Sequence, residues 1–495
     1  MSPLLLLAIG IATVVLGIVL LRLHAALALL LAAVTVGVLT PKEAIISYEL
    51  DKRESQKAAE KLKLDEKTVT EVAKLDRKKA EDLANSSIGK RVAQGFGVTC
   101  GKIGILIAMA AIIGKCLLDS GGADRIVRSS LKLVREKRAP VAFLGSGFTL
   151  GMPVFFDTVF YLMLPLAKMF TARTGKNYLL LILSIVAGGS MAHSLVPPTP
   201  GPLVVAEAFK VDIGQMMIGG LVVGLFASSI GYIYAKWANA KMPIPLRDTP
   251  DSTIEELEKQ VDKPDSELPP LWLSLLPILL PLVLISFATT WKLVRPEDCW
   301  CQVYVQAIGE KNFAMILGAV TGILLLVRQI GLDKEKLAKT FNDALSGGGV
   351  VILITASGGA FGEILKQTGV GPWMKGQVDA AGMGMTGILL LAFGVTALIR
   401  FAQGSATVSM MTTAAILAGL ASPEVLGCSP LYLALAIGCG SKPLAWMNDS
   451  GFWVVCKMSG MTEVETLKTL SVLLTVMGVA GIVATLVLAN LFPLT

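Results

Sequence analysis

Runs of apolar residues without a single charge recur along the chain: Pro3 to Leu21, Ile213 to Ala235, Leu271 to Trp291, Ala380 to Ile399, Phe401 to Pro423 and Thr469 to Thr495. Each approaches or exceeds the ~18 residues that cross a hydrocarbon core. The pattern predicts an all-α polytopic membrane protein, with spans at about 3–21, 24–40, 98–118, 177–210, 213–236, 271–291, 310–328, 345–366, 429–458 and 467–492. Two further apolar segments, at about 139–171 and 380–421, read as hairpins. In the first, about a dozen residues separate a basic loop from the break Gly151-Met152-Pro153, too few to cross, which predicts a re-entrant loop. The arms of the second are long enough for either reading.

Polar segments divide the chain. Residues 41–97 hold 13 Lys/Arg and 11 Asp/Glu at helical spacing, a solvated helical insert. A proline-rich acidic stretch near 241–270 reads as a linker. The expected organisation is two helices (1–40), an extracytoplasmic insert (41–97), a first repeat core (98–236), a cytoplasmic linker (237–270) and a second repeat (271–495).

Composition agrees: of 495 residues 54% are hydrophobic and 16% charged, with mean hydropathy +0.68. The net charge of +7 lies mostly between apolar runs, so it orients the chain in a bilayer and does not indicate nucleic acid. The seven cysteines lack zinc-ligand spacing and read as small apolar residues. No phosphate loop, HExxH or strand-borne GxSxG occurs, so neither an ATPase nor a hydrolase is expected, and no cofactor is implied.

The halves resemble each other at an offset of about 250 residues. GKCLLDSGG from Gly114 aligns with GEILKQTGVG from Gly362, GMPVFFD from Gly151 with FAQGSAT from Phe401, and GGSMAHSLVPPTPGP from Gly188 with GCGSKPLAWMNDSGF from Gly438. Basic residues cluster at Arg22, Arg125 to Arg138, Arg173 to Lys176, Arg328 to Lys339 and Lys457 to Lys468. All five fall on one side with these spans and with hairpins that enter and leave by the same face, and the repeats are then inverted, each with about five spans, one hairpin and one broken helix.

The helix breaks carry the chemistry. SLVPPTPGP places four prolines between Pro197 and Pro202, and its repeat partner runs from Lys442 to Gly451. Irregular backbone at membrane depth is tolerated only where protein or a polar cavity satisfies it. Half-helices restarting there aim free N–H groups and positive dipole ends inward, where an anion can sit. Thr199, Gly201, Asn448, Asp449 and Ser450 are therefore candidate substrate contacts, with Asp449 also a candidate helix cap. Arg400, at the tip of the second hairpin and followed by Gln403, Gly404, Ser405 and Thr407, offers a guanidinium to a carboxylate and polar groups to a polyol. Its alternative role is to pin the hairpin through backbone carbonyls. Asp157, just past the first break, is the candidate proton carrier, its alternative a carboxylate neutralised by Lys102 or Lys115. His193 is a candidate relay or a structural histidine.

GKIGILIAMAAIIGKCLLDSGG, HSLVPPTPGP, FAQGSATVSM and NDSGFW resemble the gluconate permease family, proton symporters for gluconate and related sugar or hydroxy acids. The resemblance runs from about Gly95 to the C-terminus and implies inverted repeats, two hairpins, a bacterial cytoplasmic-membrane location and a homodimer. The family commonly has His where this chain has Thr199 and Glu where it has Asp157. The resulting expectation is a proton-coupled symporter of gluconate or a similar small hydroxylated monocarboxylate. A sodium-coupled carboxylate carrier and an anion channel are the alternatives, and an acidic residue at depth favours protons over sodium.

Overall fold

The structure, a computed structural model, describes residues 1–50, 66–133, 138–247, 264–294 and 302–494, and every regular element among them is helical. Cys299 and Cys301, and part of both polar stretches, lie outside the described residues. Helices α1 (Pro3–Val19) and α2 (Ala25–Leu39) precede the polar helix Glu66–Asn85. Then come α3 (Ile88–Asp119), α4 (Gly122–Leu133), the pair α5 (Ala139–Leu150) and α6 (Phe156–Thr174), the pair α7 (Tyr178–Leu195) and α8 (Pro200–Ala208), and α9 (Ile213–Lys241). Beyond the linker are α10 (Leu271–Val294), α11 (Lys311–Ile330), α12 (Lys334–Gln367) and α13 (Val370–Ala380). The pair α14 (Met385–Gln403) and α15 (Ala406–Leu417), the pair α16 (Pro430–Gly440) and α17 (Ser450–Met458), and α18 (Glu463–Leu491) complete the order.

Among the described residues eight helices are long and apolar enough to cross a membrane, or nine if the bent pair Ala25–Leu39 and Lys42–Leu50 forms one span. The sequence predicts ten spans. The two counts differ because α1, α2 by itself and α16 are too short to qualify, whereas α14, the first arm of the second hairpin, does qualify. Two helices start a turn or more before their apolar runs. Ser87 caps α3 by accepting from Lys90 N–H, and Asp333 caps α12 by accepting from Lys336 N–H. Their polar turns are satisfied from neighbouring helices: Arg91 donates to the Gly37 carbonyl at 2.8 Å and to Gln367 Oε1 at 3.0 Å, and Thr340 donates to Asp119 Oδ2 at 2.6 Å.

Apart from inserted helices such as Glu66–Asn85 in the first half and Gln302–Ile308 in the second, both halves present the same order of elements: two helices, a long helix, a short one, a helix pair broken at Gly151–Phe155 or Gly404–Ser405, a second pair broken at 196–199 or 441–449, and a final helix. Packing follows that correspondence. α1 lies on α2 as α10 lies on α11, α2 on α12 as α11 on α3, α5 on α7 as α14 on α16, and α7 on α9 as α16 on α18. The long helices α3 and α12 pack on each other, as do the last helices α9 and α18. α7 is the centre of the molecule, with nearly every side chain buried. Glycines let its neighbours approach: a Cβ on Gly188 would overlap the Leu144 carbonyl oxygen of α5, and one on Gly220 the Leu195 carbonyl oxygen.

Candidate substrate site

Four half-helices begin around one cavity. α6 starts there with Phe155, Phe156 and Asp157, α8 with Pro200, α15 with Ser405 to Val408, and α17 with Ser450 to Phe452. The cavity has a volume of about 290 Å³; Val186, Ser190 and His193 of α7 close one wall, and Leu470 and Leu474 of α18 another. A helix start leaves its first N–H groups without intrahelical partners and carries the positive end of the helix dipole. Neither Phe155 nor Thr199 caps its helix through a side chain, so α6 presents those groups uncapped, while α8, whose Pro200 and Pro202 have no N–H, offers only that of Gly201 together with its dipole end. Ser405 spends its hydroxyl oxygen on Val408 N–H at 3.3 Å, and Asp449 Oδ1 accepts from Gly451 N–H at 2.8 Å.

Of the residues singled out from the sequence, Asp157, His193, Arg400, Gly404, Ser405, Thr407, Asp449 and Ser450 line this cavity; Thr199, Gly201, Gln403 and Asn448 do not. Thr199 donates its hydroxyl to the Val196 carbonyl at 2.7 Å, bridging the break from within. A Cβ on Gly201 would sit 2.8 Å from Met410 Sδ, so that glycine lets α8 close on α15. Asn448 donates to the Phe401 carbonyl at 2.7 Å, and Trp446 donates to the same oxygen at 2.9 Å while stacking on the Phe401 ring. The second break thereby caps the open end of α14. Gly404, at φ +76°, is pressed against the Asn448 carbonyl, so neither its backbone angle nor its surroundings admit a side chain. The Gln403 amide is buried, and among the described residues both of its polar atoms lack a partner.

The charges arrange themselves unevenly. Arg400 Nη2 pairs with Asp449 Oδ2, and Nη1 donates to the Gly404 carbonyl at 3.2 Å. The guanidinium read from the sequence as open to a substrate carboxylate thus already holds one from its own chain. Lys102 and Lys115 are engaged elsewhere, with Glu207 at 2.9 Å and Asp119 at 3.1 Å. Asp157 has no ion-pair partner among the described residues, and its Oδ1 faces Asp449 Oδ1 across Gly451: a Cβ there would lie 3.8 Å from the one and 3.4 Å from the other. The His193 ring meets Phe155 edge to face at 6.0 Å and keeps Nδ1 buried without a partner among the described residues.

Sequence reasoning missed Lys442 and Ser190. Lys442 is 4% exposed, lines the cavity and donates from Nζ to the Ser190 carbonyl at 2.7 Å. A signal was present: between Arg400 and Asp449 the only charged residues are Glu424 and Lys442, and an ionisable residue at membrane depth marks a site by default.

Residues 79–492 match the family model described as GntP family permease. The chain belongs to that family. An uncharacterized permease of Haemophilus influenzae is 35% identical over 76% of this chain and 77% of its own length. The gluconate permease of Pseudomonas aeruginosa is 31% identical over 81% of this chain and 88% of its own, and the low-affinity gluconate transporter of Escherichia coli K12 is 30% identical over 80% and 86%. Two solved transporters share the fold: YdaH of Alcanivorax borkumensis, with TM-score 0.59 and 15% identity over 81% of this chain and 88% of that one, and MtrF of Neisseria gonorrhoeae, with TM-score 0.60 and 16% identity over 82% and 84%. This permease is a multi-pass membrane transporter and not an enzyme.

Proposed function

We propose that this permease carries out proton-coupled symport of gluconate or a related small hydroxylated monocarboxylate. The observation that supports it most is the convergence of four helix starts on one cavity of about 290 Å³, a volume at the small end of ligand pockets. Dipole ends and free N–H groups favour an anion. Thr407, Ser405, Ser450 and Ser190 supply hydroxyls for a polyol chain. The relatives named gluconate permease and low-affinity gluconate transporter point to the same class.

Asp157 is the proton carrier in this proposal. Asp449 is held by Arg400 and Gly451 N–H, whereas Asp157 has no such partner among the described residues, which leaves it free to exchange a proton. His193, beside it in the cavity wall, is the relay. The halves act as inverted repeats with re-entrant hairpins that meet the breaks at mid-membrane, and the protein works as a homodimer in the bilayer.

Proteoliposomes holding the purified protein test the reading. Labelled gluconate should accumulate when the outside is acidic, and an uncoupler should abolish it. Accumulation that follows a sodium gradient and ignores the pH gradient would replace proton by sodium coupling. Flux that never exceeds equilibration would make the protein a channel.

A further inference from the structure

Four ionisable groups other than His193 border the cavity: Arg400, Lys442, Asp157 and Asp449. Two of them neutralise each other. In the Arg400–Asp449 pair, the second carboxylate oxygen is taken by Gly451 N–H and the second guanidinium nitrogen by the Gly404 carbonyl. The pair therefore ties the tip of the second hairpin to the start of α17 and cancels the charge of Arg400, although its Nε is buried without a partner among the described residues. Lys442 is different. It is 4% exposed, and among the described residues no carboxylate lies within salt-bridge distance of it. A buried cation without a counter-charge is unfavourable by several kcal/mol in general, so an anion that enters the site stabilises the ammonium form.

We infer that Lys442 and Ser190 form the receptor for the substrate carboxylate, while Arg400 and Asp449 hold the site in shape. An ammonium has three donors. One goes to the Ser190 carbonyl at 2.7 Å, and Lys442 lines the cavity with two donors to spare. The hydroxyl of that same Ser190 is buried, borders the cavity and has no partner among the described residues. Ammonium and hydroxyl are thus held side by side, matched to the two oxygens of one carboxylate. Lys442 stands in the second break and Ser190 on α7 of the first half, so a bound carboxylate joins the two halves at the point where they meet.

The charge count also sets the substrate class. With Asp157 protonated, Arg400 and Lys442 against Asp449 leave one positive charge, which balances one carboxylate. A second carboxylate on the substrate would face Asp157 and Asp449 with no further cation to meet it, so the site selects monocarboxylates. This inference rests on the proposed transport of a hydroxylated monocarboxylate, and its test separates the two.

Affinities of gluconate and of its neutral amide, gluconamide, are measured on the purified full-length protein. Wild type should prefer gluconate by roughly 10- to 150-fold, the range of a lost charge-assisted hydrogen bond. In Lys442→Met, which keeps the length of the side chain, that preference should fall to within a few-fold of unity while thermal stability is unchanged or higher. Lys442→Arg should restore part of the preference. A preference retained in Lys442→Met, with or without a change in stability, overturns the assignment. Should Lys442→Met fail to fold, Ser190→Ala removes a single hydroxyl and should still cut the preference several-fold; no change there also overturns it. If wild type binds no sugar acid or hydroxy acid, the transport reading itself fails.

Discussion

Replacing Arg400 separates two roles a buried guanidinium can fill. Its side chain and that of Asp449 are each 8% exposed, and removing one member of a buried pair leaves the other as an uncompensated charge. Such losses cost about 3–5 kcal/mol. Arg400→Ala should therefore lower the apparent Tm in detergent by several degrees or prevent folding, and a wild-type Tm would show that the pair contributes nothing. Asp157 calls for a kinetic measurement instead. Asp157→Asn mimics a permanently protonated carrier, so the variant should exchange internal for external substrate yet fail to accumulate it against a gradient. Uphill accumulation at the wild-type level would reduce Asp157 to a structural role. At this scale the sequence was legible where a charge interrupts an apolar run, as at Arg400 and Asp157. Pairing was not legible: Asp449 lies 49 residues from Arg400, and only the fold brings them together. Lys442 went unread because the prolines and glycines around it explained the break without it.

Helix breaks were the most legible elements, because proline and glycine act on the backbone locally. α7 ends at Leu195 and α8 starts at Pro200, and the repeat partner restarts at Ser450 with Asp449 as its cap, aligned with Thr199. The starts of α3 and α12 were hidden, since their polar first turns look like loop until Arg91 finds Gly37 and Gln367, and Thr340 finds Asp119. Close packing was equally hidden, and it yields a contrast between glycines. Gly188→Ala would drive a methyl into the backbone of α5 at Leu144 and Phe148 and should cost about 1–3 kcal/mol or more. Gly349→Ala on α12, with nothing within 4 Å of the added carbon, should be neutral or stabilising by up to about 1 kcal/mol. Thermal unfolding of the two variants beside wild type checks the pair. Equal effects would mean that the α5–α7 crossing is not the tight contact it looks to be.

At the level of the whole molecule, the matching element order and the matched helix contacts support the proposed repeat, and the basic loops bear on how it would sit in a bilayer. Lys and Arg in short loops are retained on the cytoplasmic side. In the proposed inverted arrangement the clusters at Arg125 to Arg138 and Arg328 to Lys339 share that side, and α3 and α12 run in opposite directions across the bilayer. Their first turns then lie on opposite faces of the membrane, and both are exposed at Lys90 and Lys336. In a background freed of native cysteines, Lys90→Cys should react with a membrane-impermeant maleimide in intact cells. Lys336→Cys should react only after the membrane is permeabilised. An inverted arrangement also makes each half the mirror of the other's access route, so the cavity between the breaks can face either side by movement of one half against the other. Labelling of both cysteines from the same side would make the repeats parallel. The two hairpins would then enter the membrane from one face, and exchange of the halves could no longer convert an outward-facing cavity into an inward-facing one.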